Sequence, residues 1–255
     1  MKASPESIEL LGRLQEISLA GPIPAVGTGA TTIGMTLLDA LDVEYSSTRK
    51  PSYKGIVITA RRGEPNVRGN RVNLFARVPD WNISTCTSSA EIVDTYGYLS
   101  KDGRRKLYCT VSAKRPNTQG LMLQVDEAMN LLDEVHVDGS VKTSVASWRL
   151  DDLTARLAKS HPESVWVSAR SREISGREHF HYNFVIYTAR PQLSQFGALL
   201  REGTITVDHL IDRQDKKVNE KGPLFKIDPS NFELLFGRPL KIDLMTIDLS
   251  SLDVS

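Results

Sequence analysis

Between Arg49 and Arg115 the sequence carries fourteen basic residues against five acids, a local charge of +9 in a chain of 255 residues whose net charge is only +1. The remainder therefore carries −8. Charge gathered in this way suits a surface that faces a polyanion, although a solvated basic face without a ligand would look the same. Other chemistries are less well served. His179 and His181 stand two apart on an expected strand and so share a face, but no Cys, His or Asp cluster accompanies them to complete a metal site. A structural or DNA-facing role suits them better. GTGATTIGMT has the glycines of a phosphate loop, yet Met35 stands where such a loop needs its lysine. Cys86 and Cys109 fit neither a CxxC pair nor a zinc spacing and are expected to remain reduced, half-buried thiols. There is no GxSxG elbow and no HExxH helix.

The elements that must hold these residues follow from composition and pattern. With 40% hydrophobic and 25% charged residues, the chain is that of a globular protein able to bury a core. No run approaches the ~20 apolar residues of a membrane helix, and the start lacks a secretory apolar stretch. A soluble, cytoplasmic protein that does not engage a membrane is expected. Ser4-Pro5 opens a helix in which Ile8, Leu11, Leu14 and Ile17 recur at close to helical spacing, and the turn at Gly27 and Gly29 leads into a second. GIVITA and VNLFARV read as a strand pair joined through GEPNVRGN. Ser88 with Glu91 forms a capping box, followed by strands at RRKLYCTVS, GLMLQVD and VKTSVASW. After Leu150 come a helix, two long strands, a helix from Pro191, strands at TITVDHLI and GPLFKI, and a last helix from Asp228-Pro229. The change of pattern near residue 150 suggests two packed lobes, 1–150 and 151–255.

Six segments make the reading specific: TIGMTLLDAL, KPSYKGIVITARR, KLYCTVSAKRPNTQGLMLQVDE, SGREHFHYNFVIYT, REGTITVDHLI and KGPLFKIDPSNFELLFG. In this order and spacing they resemble the MvaI/BcnI family of restriction endonucleases, over nearly the whole chain after residue 22. The resemblance implies an α/β restriction-endonuclease-like fold: a PD-(D/E)xK core, a mixed sheet flanked by helices, with a second, DNA-recognition lobe. It also implies a monomer that clamps duplex DNA between a catalytic and a recognition half.

Such nucleases place a carboxylate on a helix, an Asp at the start of a strand and an acid-x-Lys pair further along it, so that the acids hold Mg²⁺ and the lysine orients the attacking water. The resemblance puts Leu38, Ser52, Val57 and Thr59 at those positions, none of them an acid or a lysine. Carbon and lone hydroxyls are poor ligands for a hard cation, so the expectation is a degenerate site without catalytic residues, metal or cofactor. Asp39, Asp42, Glu44 and Glu64 are the candidates for a relocated site, and Mg²⁺ enters only on that alternative.

Loss of the acids leaves the basic segment unopposed. Lys54, Arg61, Arg62, Arg68 and Arg71 are the first group of candidate phosphate contacts, with Lys114, Arg115 and Asn117 a second. The resemblance assigns base reading to the strand ITVDHLI and the loop before GPLFKI, here Asp208, His209, Asn219, Glu220, Lys221 and Lys226. Asp208 could instead be a turn or ion-pair residue, and Lys226 could snorkel from a strand. The resulting expectation is an inactive nuclease homologue that binds double-stranded DNA, in a defence or DNA-processing complex whose catalytic or helicase partner does the chemistry. A relocated Mg²⁺-dependent endonuclease and a protein-binding scaffold are the alternatives.

Overall fold

The computed structural model describes residues 4–29, 31–44, 53–63, 71–215 and 217–251. The chain forms two compact units, and it crosses from one to the other four times: residues 1–69, 158–191 and 236–255 make the first, 70–157 and 192–235 the second. The lobes are therefore not 1–150 and 151–255. The strand pairs explain the correction, because each unit is closed by partners more than a hundred residues apart in sequence. Among the described residues no helix is long and apolar enough to cross a membrane.

In the first unit, α1 (Pro5–Leu19) begins where Ser4 caps the amide of Ser7 at 3.2 Å, with proline in the first turn. Gly27 and Gly29 take φ values of +86° and +94°, which favour glycine, just before α2 (Thr32–Ala40). The sheet contains β1 (Ile23–Pro24), β2 (Val57–Arg62), β9 (Ser164–Ile174), β10 (Arg177–Thr188) and β14 (Leu240–Asp243). Its order is β1-β10-β9-β2, with β14 also paired to β10; only the β2–β9 pair is parallel. Leu10, Leu11 and Leu14 of α1 and Ile33 and Leu37 of α2 pack with Val165, Val167, Phe180 and Tyr182 in one core cluster.

The second unit holds β3 (Val72–Ala76), α3 (Ser89–Tyr96), β4 (Tyr98–Leu99), β5 (Arg105–Val111), β6 (Leu121–Asp126), β7 (Leu131–Asp138), β8 (Val141–Arg149), α5 (Phe196–Arg201), β11 (Ile205–Gln214), β12 (Lys217–Glu220) and β13 (Leu224–Ile227). The helices α4 (Leu150–Ser160) and α6 (Phe232–Phe236) contain two of the four crossings between units. An antiparallel sheet runs β3-β13-β11-β5-β4 with β12 on β11, and β6-β7-β8 form a separate meander. Phe75 and Phe225 stack at 4.7 Å, Trp148 meets Phe225 edge-on, and the Trp148 indole donates to the Arg77 carbonyl at 2.9 Å.

The expected pairing of GIVITA with VNLFARV does not occur. β2 joins β9, β3 joins β13, and the two lie in different sheets of different units. Two β-rich runs around a glycine turn look alike whether they close a hairpin or diverge. Strand β7, which the pattern did not suggest, runs through LLDEVHVD. At α3 the capping box is half formed: Ser88 Oγ accepts from Glu91 N, whereas the Glu91 carboxylate accepts from the backbone and hydroxyl of Thr87, which lowers its pKa.

Candidate functional site

Strand alternation decides what β2 presents. Ile58 and Ala60 pack against the core cluster, so Val57, Thr59 and Arg61 share the opposite face. The parallel register sets Val57 beside Ser164, Thr59 beside Trp166 and Arg61 beside Ser168, whose hydroxyl accepts from Arg61 Nε at 3.3 Å. Trp166 is committed to Thr188 Oγ1 at 3.0 Å, and the buried His161 to Ser164 at 2.9 Å. These neighbours bring hydroxyls, an indole and an imidazole, and no carboxylate. That donor set does not fit the hard divalent cation the nuclease fold implies, and among the described residues no group of three or more His, Cys, Asp or Glu converges.

Leu38 is half-buried on α2, while Ser52 and Glu64 lie outside the described residues. Of the relocation candidates, Asp39 and Glu44 are exposed and Asp42 pairs with Arg13 at 3.5 Å. They do not form a site. His179 and His181 each contact a backbone carbonyl, of Arg177 and Ser18 respectively. Neither cysteine is in a disulfide; burial pushes the Cys109 thiol up to about 12, so it stays protonated.

The candidate phosphate contacts fall into two sets. Lys54 is held by Glu9 of α1 at 2.5 Å, and Tyr53 donates to the same carboxylate at 2.6 Å; these bonds raise the lysine's pKa and lower the acid's. Arg62 forks onto Glu178 at 3.1 and 2.9 Å and lies 5.0 Å from the Phe180 ring centre. Arg71 is forked onto Asp208, and Arg68 lies outside the described residues. Asn117 is a loop brace: its amide oxygen accepts from Gln119 N and Leu121 N, and its nitrogen donates to Thr110 O. Lys114 and Arg115 differ from these. Both are exposed beside a recess shared with Tyr108 and Thr110, without an ion-pair partner among the described residues.

The antiparallel sheet of the second unit sorts the remaining candidates by parity. Val207, His209 and Ile211 face inward; Thr206, Asp208, Leu210 and Asp212 face the other way. His209 is therefore corrected. Its side chain is 1% exposed and bonds Glu134, itself fully buried, at 2.8 Å. Burial opposes the imidazolium, but the adjacent Glu134 carboxylate outweighs it and raises the His209 pKa, so the pair is an internal salt bridge out of reach of any base.

Asp208 is on the outward face but fully engaged. Arg71 donates to both oxygens at 2.8 and 3.2 Å, Thr110 to Oδ1 at 2.8 Å, and Lys226 to Oδ2 at 2.8 Å. Burial would raise this carboxyl, and the Lys226, Arg71 and Thr110 bonds more than offset it, leaving the pKa below the ordinary value. Asp208 and Lys226 are thus each other's partners. Glu220 accepts from Ser89 Oγ, while Asn219 and Lys221 are exposed.

Residues that the sequence reading passed over complete this face. Asp212 accepts from Arg104 at 2.9 Å through Oδ2, and Tyr108, Thr110, Lys106 and Asn73 lie on the same side. The signal was present: period-two counting along TVDHLID puts Asp212 with Asp208 and removes His209.

A mixed sheet with helices on one face and an antiparallel sheet in a second unit form the fold of a restriction endonuclease. The chain is similar to restriction endonuclease MvaI in complex with its cognate DNA substrate, with TM-score 0.79 and 19% identity, covering 94% of this chain and 99% of that one. Against MvaI in the absence of DNA the TM-score is 0.56, again at 19% identity, over 95% and 99% of the two chains. The model of the MvaI/BcnI restriction endonuclease family matches residues 11–236, and the chain belongs to that family. No curated protein matches it.

Proposed function

We propose that this chain is a catalytically inactive member of the family that binds double-stranded DNA, as the recognition subunit of a defence or DNA-processing complex in which a partner protein supplies nuclease or helicase chemistry. The observation that carries the reading is the face of β2. Where an acid-x-Lys pair is needed it presents Val57 and Thr59, flanked by Ser164, Trp166 and Ser168. Valine offers no lone pair, and a hydroxyl without a charged neighbour does not hold Mg²⁺.

DNA binding is supported from two directions. The similar MvaI structure is a complex with cognate DNA, and Lys114, Arg115 and Lys221 are exposed cations with no ion-pair partner among the described residues. Cations of this kind suit phosphate contact, which positions a protein on DNA without reading sequence. Lys54, Arg62, Arg71 and Lys226 already balance internal carboxylates.

Two assays test the reading together. Binding of random-sequence duplex should weaken steeply with salt, the logarithm of affinity falling by about 0.9 per log unit of salt for each phosphate neutralised. Supercoiled plasmid should stay intact in Mg²⁺. Nicking that disappears on replacing Asp39 and Asp42 would select the relocated endonuclease, and no binding even at low salt would select the scaffold.

A further inference from the structure

Strand β5 is paired to β11 along the whole of one edge, but on the other edge it is paired only towards its ends. At the start Arg105 and Lys106 face Leu99 and Tyr98 of β4, and Ser100 N donates to Arg104 O at 2.8 Å. At the far end Thr110 O accepts from the Asn117 side-chain amide at 3.1 Å, and Ser112 O accepts from Leu123 N at 3.1 Å. Alternate residues of a strand point their backbone groups to the same edge, so the carbonyls of Arg104, Thr110 and Ser112 place the carbonyl and N–H of Tyr108 on that edge too. Neither Tyr108 group has a partner among the described residues, and nor does the N–H of Thr110. The sheet edge is thus closed on both sides of Tyr108 and open at it, which is the template an added strand uses.

The opening gives onto a recess of about 660 Å³ lined by Tyr108, Cys109 and Thr110 and by the loop that follows β5. No residue of β11 lines it, which puts the recess on the free edge. Lys114 and Arg115 stand at its wall, exposed and without an ion-pair partner among the described residues. A ligand that fits must offer both a donor and an acceptor to the backbone of one residue and carry negative charge beside them. An extended peptide does the first through its own N–H and C=O, as a strand does when it adds to a sheet edge, and acidic side chains do the second. A DNA phosphate meets the cations and the N–H groups but has no donor for the Tyr108 carbonyl. Basic residues at an edge also repel neutral or basic strands less well matched to it, which narrows the occupant to an acidic one.

We propose that the free edge of β5 at Tyr108 docks a short, extended acidic segment of the partner protein, added as a strand and held at its flank by Lys114 and Arg115. This rests on the reading that a partner supplies the chemistry, and it gives that partner a place to bind. Because the same two cations suit phosphate contact, segment and duplex compete for them.

The test is selection from a displayed library of short random peptides against the full chain, with binding of random-sequence duplex measured alongside. Peptides rich in Asp and Glu and free of proline should be enriched. A synthetic copy of the selected peptide then receives one N-methyl group at a time along its backbone. Affinity should fall about tenfold at the amide that donates to Tyr108 O and change little at the amides on either side, which face away. The double variant Lys114→Glu, Arg115→Glu should lose the acidic peptide, and saturating peptide should weaken duplex binding to wild type. Duplex bound with no acidic peptide enriched, an N-methyl scan without that alternation, a peptide bound as well by the charge-reversed variant, or a duplex affinity that saturating peptide leaves unchanged overturns the docking site alone. Absence of duplex binding overturns the DNA reading, and the N-methyl scan and the charge reversal then decide the site by themselves.

Discussion

Strands β2 and β11 each turn one face to an apolar core, yet the faces on the other side were furnished on different principles. On β2 the side chains are Val57, Thr59 and Arg61, beside hydroxyls and an indole. On β11 they are Asp208 and Asp212, each matched to arginine or lysine. The same alternation thus yields a face without anionic oxygen in one unit and a face of balanced charge in the other. Carboxylates beside a phosphate repel it unless a cation intervenes. On β2 they are absent, and on β11 the cations are built in.

The change that would most alter this contrast is to furnish β2 as a metal site. The combined variant Leu38→Glu, Ser52→Asp, Val57→Glu and Thr59→Lys should bind Mg²⁺ by calorimetry where the natural chain releases no heat, and a silent titration would mean the strand is misaligned with the family motif. Next in size is the inward side of β11. Glu134→Ala should destabilise the protein by about 3 kcal/mol in urea, because it strands His209 without its counter-ion. A midpoint near wild type would show the pair to be dispensable.

The same pair sets a pH signature. The His209 pKa is raised above its ordinary 6.5, so the stability the pair contributes is complete below that value and is lost as pH rises through the higher folded-state pKa. Urea midpoints from pH 6 upward should fall more steeply for wild type than for His209→Gln, and parallel curves would show that the imidazole does not titrate.

Smaller again is the effect of the free cations. Replacing Lys114 and Arg115 together by alanine should weaken binding to all duplexes alike and flatten the salt slope by about two; an unchanged slope would remove both residues from the interface. Smallest is Glu9→Gln, which breaks an exposed pair with Lys54 and should leave the urea midpoint where it was.

Much of the fold was legible in the residues. The Ser4-Pro5 start of α1, the Gly27/Gly29 turn into α2 and the long pair β9–β10 follow from capping, backbone conformation and alternation, all of which act within a few residues. The site was legible in part. The residue types at 57 and 59 are visible to anyone who aligns the strand. The fate of each cation is not, since whether Lys54 meets Glu9 or Arg71 meets Asp208 depends on groups 45 and 137 residues away.

The sequence by itself determined most of the elements, the family and the side-chain types along β2, because propensities, caps and residue identities are local properties. Tertiary structure alone decided that the units interleave along the chain, that Asp208 is saturated while Asp212 keeps an oxygen unpaired, and that His209 is sealed in with Glu134. The physical reason is common to all three: strand partners and counter-charges are chosen by contacts between distant segments, and a hydrogen bond or desolvation cost exists only once those segments meet.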